Sequence, residues 1–113
     1  MKLIVAGGRD FDKQDIVNFV LNGLHKTYGV SEVVCGFCRG ADICGKNWAH
    51  SKDIPVKIFP PDYKAYGHTA PLLRNIEMAK YAEGCIVFPG GKGTAHMATQ
   101  AERHRLQFWD FRQ

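Results

Sequence analysis

Three stretches of the chain combine glycine with residues able to hold an anion. Phe88-Pro89-Gly90-Gly91-Lys92-Gly93-Thr94 closes an apolar run with a proline, three glycines, a lysine and a threonine. Backbone N–H groups at such a strand–turn–helix junction are free to bind phosphate, and glycine lets the backbone approach it closely. Gly7-Gly8-Arg9-Asp10 follows the first apolar run, and Gly36 with Arg39-Gly40-Ala41-Asp42 follows the second. Arg9, Arg39 and Arg74 carry guanidinium forks suited to phosphate or carboxylate. Arg74 and Asn75 sit in the first turns of an expected helix, where a cation opposes the macrodipole, so a role other than helix stabilisation is expected of Arg74. Lys92 is either a phosphate contact or a solvent-facing lysine. Asp10 and Asp42 read as helix caps or as acceptors for ribose hydroxyls, with Asp12 a further cap candidate. Thr94 reads as an N-cap whose hydroxyl also meets a phosphate. His68 and His96 lie near the same region.

These turns match no standard nucleotide fingerprint. Gly90 to Thr94 lacks the spacing of a P-loop, and Ala6-Gly7-Gly8-Arg9 lacks the spaced third glycine of a dinucleotide fold. A nucleoside triphosphatase and a dehydrogenase are therefore not expected.

The elements that must position these residues alternate in type. Short apolar runs at 2–6, 32–35, 54–59, 85–88 and 106–111 read as strands. Between the first two, Ile16, Phe19, Val20, Gly23 and Leu24 recur at helical spacing and predict one buried face. Ala41, Cys44, Gly45, Trp48 and Ala49 predict the next helix, with small residues that allow close approach to a sheet. Leu72, Leu73, Ile76, Ala79 and Tyr81 mark a third, with Pro71 in its first turn. Thr94, Met97, Ala98 and Ala101 face inward from a fourth at 94–103. Residues 62–71, with Tyr63, Tyr66 and His68, read as a long loop. Such alternation implies an α/β fold: a Rossmann-like three-layer sandwich of about five mostly parallel strands with helices on both faces. Ligands of such sheets bind beyond the carboxyl ends of the strands, where the three glycine turns converge.

Length and composition bound the rest. The 113 residues suit a single domain, 1–113. The formal charge of +4 favours an anionic ligand, but its scatter along the chain argues against a nucleic-acid partner. No apolar run is long enough for a signal segment or membrane span, so a cytoplasmic protein without membrane attachment is expected. Of four cysteines, Cys35 and Cys38 form a CxxC pair with no second pair or histidine pair to complete a zinc site. No metal and no cofactor are expected, and the thiols are expected to be reduced. Phe108, Trp109 and Phe111 crowd the last strand. Adjacent residues face opposite sides of a sheet, so either both sides are covered or one aromatic meets a second copy. A dimer or higher self-association is expected.

In order and spacing, Ile4-Val5-Ala6-Gly7-Gly8-Arg9-Asp10-Phe11, Gly36-Phe37-Cys38-Arg39-Gly40-Ala41-Asp42, Arg74-Asn75-Ile76-Glu77-Met78 and Phe88-Pro89-Gly90-Gly91-Lys92-Gly93-Thr94 resemble the SLOG superfamily. That superfamily groups LOG-type nucleotide phosphoribohydrolases with DprA-like proteins, and the chain is most similar to its small stand-alone bacterial and phage branch. The resemblance implies a nucleotide-type ligand at the glycine turns and frequent oligomers. LOG-type hydrolases carry a catalytic glutamate where this chain has Met97. A thioether neither takes a proton nor stabilises a developing cation. Arg74 matches their arginine, and Glu77, one turn further on, is the carboxylate nearest in sequence were the chain an enzyme. The departure at 97 favours sensing or sequestering a nucleotide-derived ligand, of ADP-ribose or cyclic-nucleotide type, over cleaving it. Nucleotide N-glycosidic hydrolysis is the alternative. Single-stranded DNA binding, using Tyr63, Tyr66 and Trp109, comes third for want of a basic stripe.

Overall fold

The computed structural model describes residues 1–36 and 40–112. Arg39, a candidate anion ligand, and Cys38, half of the CxxC pair, lie outside them. Strands β1 (Lys2–Ala6), β2 (Glu32–Gly36), β3 (Val56–Phe59), β4 (Gly84–Val87) and β5 (Gln107–Asp110) form one sheet in the order β3-β2-β1-β4-β5, parallel at every pairing. Between them run helices α1 (Gln14–Tyr28), α2 (Ala41–Ser51), α3 (Tyr63–Tyr66), α4 (Ala70–Tyr81) and α5 (Lys92–Arg103). The chain winds outward from β1 to β3, then returns to set β4 on the other side of β1. That reversal makes the β1/β4 boundary the switch point of the sheet, where strand ends diverge and leave a crevice.

Successive strand residues alternate between two cores, as the pleat requires. Leu3, Val5, Val33 and Ile86 pack under α1 and α2, while Ile4, Val34, Cys85 and Val87 pack under α4 and α5. The Rossmann-like three-layer arrangement follows from the continuous apolar runs, since a strand buried on both faces has no polar side. Trp109 joins the first core and Phe108 the second, both partly buried. The aromatic pair is thus accommodated by the two faces of one sheet.

The α2 face is as expected: Ala41, Cys44, Gly45, Trp48 and Ala49 are all buried. A Cβ on Gly45 would stand 2.9 Å from the Cβ of Val5, so this small residue sets how closely α2 lies on β1. Two other faces differ. Helix α1 buries Val17, Leu21 and Leu24, leaving Ile16 45% and Phe19 81% exposed. The helix has more apolar residues than one stripe holds, and its docking angle on α2 selects the stripe through Val17. Helix α4 buries Ala70, Asn75, Met78 and Ala79, while Leu72 and Leu73 are exposed. Of the expected face, Ala79 is buried and Tyr81 packs on the second core, whereas Leu72 and Leu73 are turned outward and Asn75 points into the structure instead.

Three boundaries also differ. Neither Asp10 nor Asp12 caps α1; Lys13 holds that position with no side-chain cap. Helix α5 starts at Lys92, with Gly91 before it, so Thr94 is a first-turn residue and not the N-cap. The expected loop at 62–71 folds into α3, a short 3-10 turn over Gly67–Thr69 and the start of α4, with the Asp62 carboxylate accepting from the Ala65 N–H.

Candidate functional site

The turns after β1 and β4 interlock through their backbones. The Gly8 N–H donates to the Pro89 carbonyl at 2.8 Å, and the Ala41 N–H donates to the Gly8 carbonyl at 3.4 Å. A Cβ on Gly8 would lie 2.9 Å from the Gly90 Cα, and one on Gly90 would lie 2.2 Å from the Thr94 Oγ1. A Cβ on Gly40 would fall 2.0 Å from the Gly8 oxygen. These glycines are needed for close contact between segments of the chain. Gly91 and Gly93 differ: a Cβ on either would meet nothing within 4 Å, and neither has a positive φ. The fold does not require glycine at either position. Both border a cavity of 690 Å³, well within the range of about 300–1,000 Å³ usual for small-molecule sites.

The cavity lies over the switch point. Its wall gathers Gly7, Gly8, Arg9 and Asp10 after β1, Gly36 and Asp42 around β2, Arg74 and Asn75 of α4, and Pro89, Gly90, Gly91, Gly93 and Thr94 after β4. The structure thus brings together residues from all four segments singled out in the sequence. Gly40 is not on the wall and acts by positioning α2. Lys92 is exposed and off the wall, and Glu77 is an exposed residue 3.8 Å from Lys80. His68 is exposed in the 3-10 turn. Phe11, Tyr63, Pro71, Met78 and Met97 also line the cavity. Of these, Phe11 stacks on Phe88 with ring centroids 5.0 Å apart, anchoring the β1 turn to the end of β4.

One end of the cavity suits an anion. No side chain caps α5 and no acidic residue occupies its first turn. The first N–H groups of a helix lack carbonyl partners within it, and they carry the positive end of its dipole. The first backbone bond into this helix runs from the Ala95 N–H to the Gly91 carbonyl, 3.1 Å. Thr94 is buried with its hydroxyl beside Gly90.

The other end carries a guanidinium and a buried acid. Arg74 donates through Nε to the Asn75 Oδ1 at 3.0 Å and through Nη1 to the Phe59 carbonyl at 3.3 Å. Asn75, 5% exposed, passes the chain on: its Nδ2 lies 3.3 Å from the Gly93 carbonyl and 3.2 Å from the His96 Nδ1. The amide donates to that ring nitrogen, so His96 is neutral there. Burial, and then the charge of Arg103, hold its pKa below the usual value. His96 therefore braces Asn75 from outside the cavity. Asp42 is 7% exposed in the first turn of α2 and accepts the Gly36 N–H. Burial pushes its pKa up to about 7, against the lowering effects of Arg74 and of that hydrogen bond. The cap reading of Asp42 does not hold, since Gly40 is the N-cap and no side chain caps it.

Gly36 makes this arrangement possible. A Cβ there would stand 2.2 Å from the Arg74 Nη1 and 2.7 Å from its Cζ. Gly36→Ala is expected to displace the guanidinium from the cavity floor, because a long side chain yields more easily than a strand. Unfolding free energy should fall by about 1–3 kcal/mol, because the Asn75 Oδ1 and the Phe59 carbonyl lose their donor, and anion binding in the cavity should fall to that of Arg74→Ala. Denaturation and titration calorimetry on both variants check this.

Residues 1–66 match the model of the YspA, cpYpsA-related SLOG family. The chain belongs to that SLOG family. It is also 30% identical over 120 aligned positions to the Gene 61 protein of Mycobacterium phage D29, covering 97% of this chain and 95% of that protein. No solved structure matches it significantly. The SLOG match covers β1 to α3, including the first two glycine turns, Asp42 and Tyr63. Family membership supports a nucleotide-related ligand, whether bound or processed. The remaining wall, from Arg74 to Thr94, lies beyond the matched residues.

Among the described residues, no cluster of His, Cys, Asp and Glu can hold a metal ion, and no helix is long and apolar enough to cross a membrane. Cys44 and Cys85 are buried free thiols, and Cys35 is buried at the end of β2. Burial raises the pKa of Cys85 to about 12, so it stays protonated and unreactive at neutral pH.

Proposed function

We propose that the cavity binds a nucleotide or nucleotide-derived signalling ligand, of ADP-ribose or cyclic-nucleotide type, and senses or sequesters it. The observation that carries this reading is the uncapped start of α5, opening on a 690 Å³ cavity beside two glycines that the fold itself does not need. Phosphate oxygens fit there because unpaired N–H groups and a helix dipole act together. Arg74, tied to the first turn of α5 through Asn75, supplies a cation to the same cavity. Met97, 1% exposed in the second core, leaves the position of the LOG-type glutamate without a carboxylate. The expected consequence is binding without turnover.

Titration calorimetry with adenosine mono- and diphosphates, ADP-ribose and cyclic nucleotides tests the reading, together with mass spectrometry of ligand carried through purification. At least one compound should bind at micromolar levels. Absence of binding by all of them at millimolar concentration sinks the proposal.

One observation favours a second reading, N-glycosidic hydrolysis. Asp42 presents to the cavity a carboxyl with a pKa of about 7, a value suited to a general acid. Release of free base from a nucleotide, abolished by Arg74→Ala, would move the assignment to an enzyme.

A further inference from the structure

The wall residues follow one another in the order of the strands. Crossing the sheet from β4 through β1 and β2 to β3, the cavity passes the Gly90–Gly93 turn, then Gly7–Asp10, then Asp42 with Gly36, then Tyr63. Neighbouring strands are about 4.8 Å apart, so the end of β2, where the Asp42 carboxylate holds the Gly36 N–H, is about 10 Å from the end of β4, with the end of β3 one strand further. Asp42 is more than nine-tenths buried, yet it borders the cavity. Its carboxylate is an acceptor, and Arg74 beside it is a donor.

We propose that Asp42 and Arg74 form a subsite for the vicinal diol of a ribose, placing the sugar in the middle of the cavity between the phosphate end at α5 and a base against Tyr63. The inference rests on the reading of the α5 end as the phosphate site. A phosphate does not suit Asp42, because the ionised carboxylate repels the anion and the protonated form offers it a single donor. A hydroxyl pair fits, because each hydroxyl donates to the carboxylate while its lone pairs remain for the guanidinium. Reach agrees as well. In a nucleoside 5′-phosphate the diol oxygen lies five bonds from phosphorus, about 6 Å when extended, and a second phosphate adds about 3 Å. The base then projects further along the same line. Tyr63, 58% exposed, offers its ring there.

The diol is bound by the ionised carboxylate, whereas the ligand-free group holds a proton near neutrality for the reasons of burial already given. Arg74 from α4 and the Gly36 N–H from β2 face it, and Arg9 and Asp10 border the same cavity from the β1 turn. Binding of a ribonucleotide therefore releases a proton at pH 6, and affinity rises with pH between 6 and 8.

The test compares ADP with 2′,3′-dideoxy-ADP and inorganic pyrophosphate by calorimetry, on wild type and Asp42→Asn, in two buffers of different ionisation enthalpy. The two nucleotides share the same phosphate titration, so their difference reports the diol. Wild type should prefer ADP about 10- to 100-fold, the usual worth of hydrogen bonds to a charged group. Asp42→Asn, which keeps the shape, should reduce the preference to less than about 3-fold and remove the buffer-dependent proton release. Equal binding of ADP and dideoxy-ADP by wild type overturns the diol subsite while leaving the phosphate site standing. So does a preference that survives in Asp42→Asn. GDP is titrated alongside, and a preference for it over ADP that the variant loses, with no ribose dependence, overturns the diol subsite and assigns Asp42 to the base. If neither ADP nor pyrophosphate binds, the phosphate reading falls and the diol inference with it.

Discussion

Asp42→Asn is expected to stabilise the ligand-free protein at pH 8 and to leave it unchanged at pH 4. The folded state raises this carboxyl from 3.8 to about 7. A raised acid pKa means that the native state binds a proton the unfolded chain has already lost. Stability is therefore full below pH 4, falls as pH rises, and levels off above about 7. The gap between the two values corresponds to ~4 kcal/mol, to be taken as an order of magnitude. Asparagine keeps the acceptor for the Gly36 N–H and has no charge to bury, so the variant should gain on the order of 2–4 kcal/mol at pH 8. Urea denaturation at pH 4, 6 and 8 measures it. A variant less stable than wild type at pH 8 would show that Arg74 compensates the buried charge in full. The expected gain at pH 8 would mean that Asp42 serves the cavity it borders and not the fold.

Gly40→Ala is expected to cost more than about 4 kcal/mol or to abolish folding. Gly40 has φ 73, a conformation side chains rarely adopt, and a Cβ would fall 2.0 Å from the Gly8 oxygen and 2.7 Å from the Arg9 oxygen. Both obstacles are backbone and neither can swing away. Gly29 provides the control: its φ of 75 is similar, but a Cβ there meets nothing within 4 Å. Gly29→Ala should cost only the conformational strain, about 1–3 kcal/mol. The difference between the two variants isolates the locking of the β1 turn against α2, which holds Gly7 and Gly8 on one wall and Asp42 on the other. Equal losses would mean that the turn relaxes to admit the methyl group.

The glycine turns were legible from sequence because punctuation of apolar runs is local. So was the parallel α/β order, since each strand is buried on both faces and reads as an unbroken apolar run. The buried stripe of α1 was not. Ile16, Val17, Phe19, Val20, Leu21 and Leu24 contain two overlapping helical stripes, and only packing on α2 and β1 selects Val17, Leu21 and Leu24. The same holds for α4, where Asn75 turns inward to reach the Gly93 carbonyl and His96, partners 18 and 21 residues away. Asp42 could be placed in the first turn of a helix, but its burial could not be foreseen. It depends on tertiary packing, with Arg74 approaching from another helix across the gap left by Gly36. Tyr63 looked like a loop aromatic, and only the position of β3 at the sheet edge brings it to the cavity. Met97 was read correctly as facing inward, and it serves both the second core and the cavity wall.

The central claim is that a nucleotide phosphate docks on the start of α5. Its most direct test is a titration of the 15N-labelled protein with ADP, followed by amide chemical shifts. The largest downfield changes should fall on the N–H groups of Lys92, Gly93 and Thr94, with smaller ones at Gly7 to Asp10, and Gly91→Val should abolish them without altering the remaining spectrum. Shifts that cluster away from these residues, or none at millimolar ADP, would contradict the account.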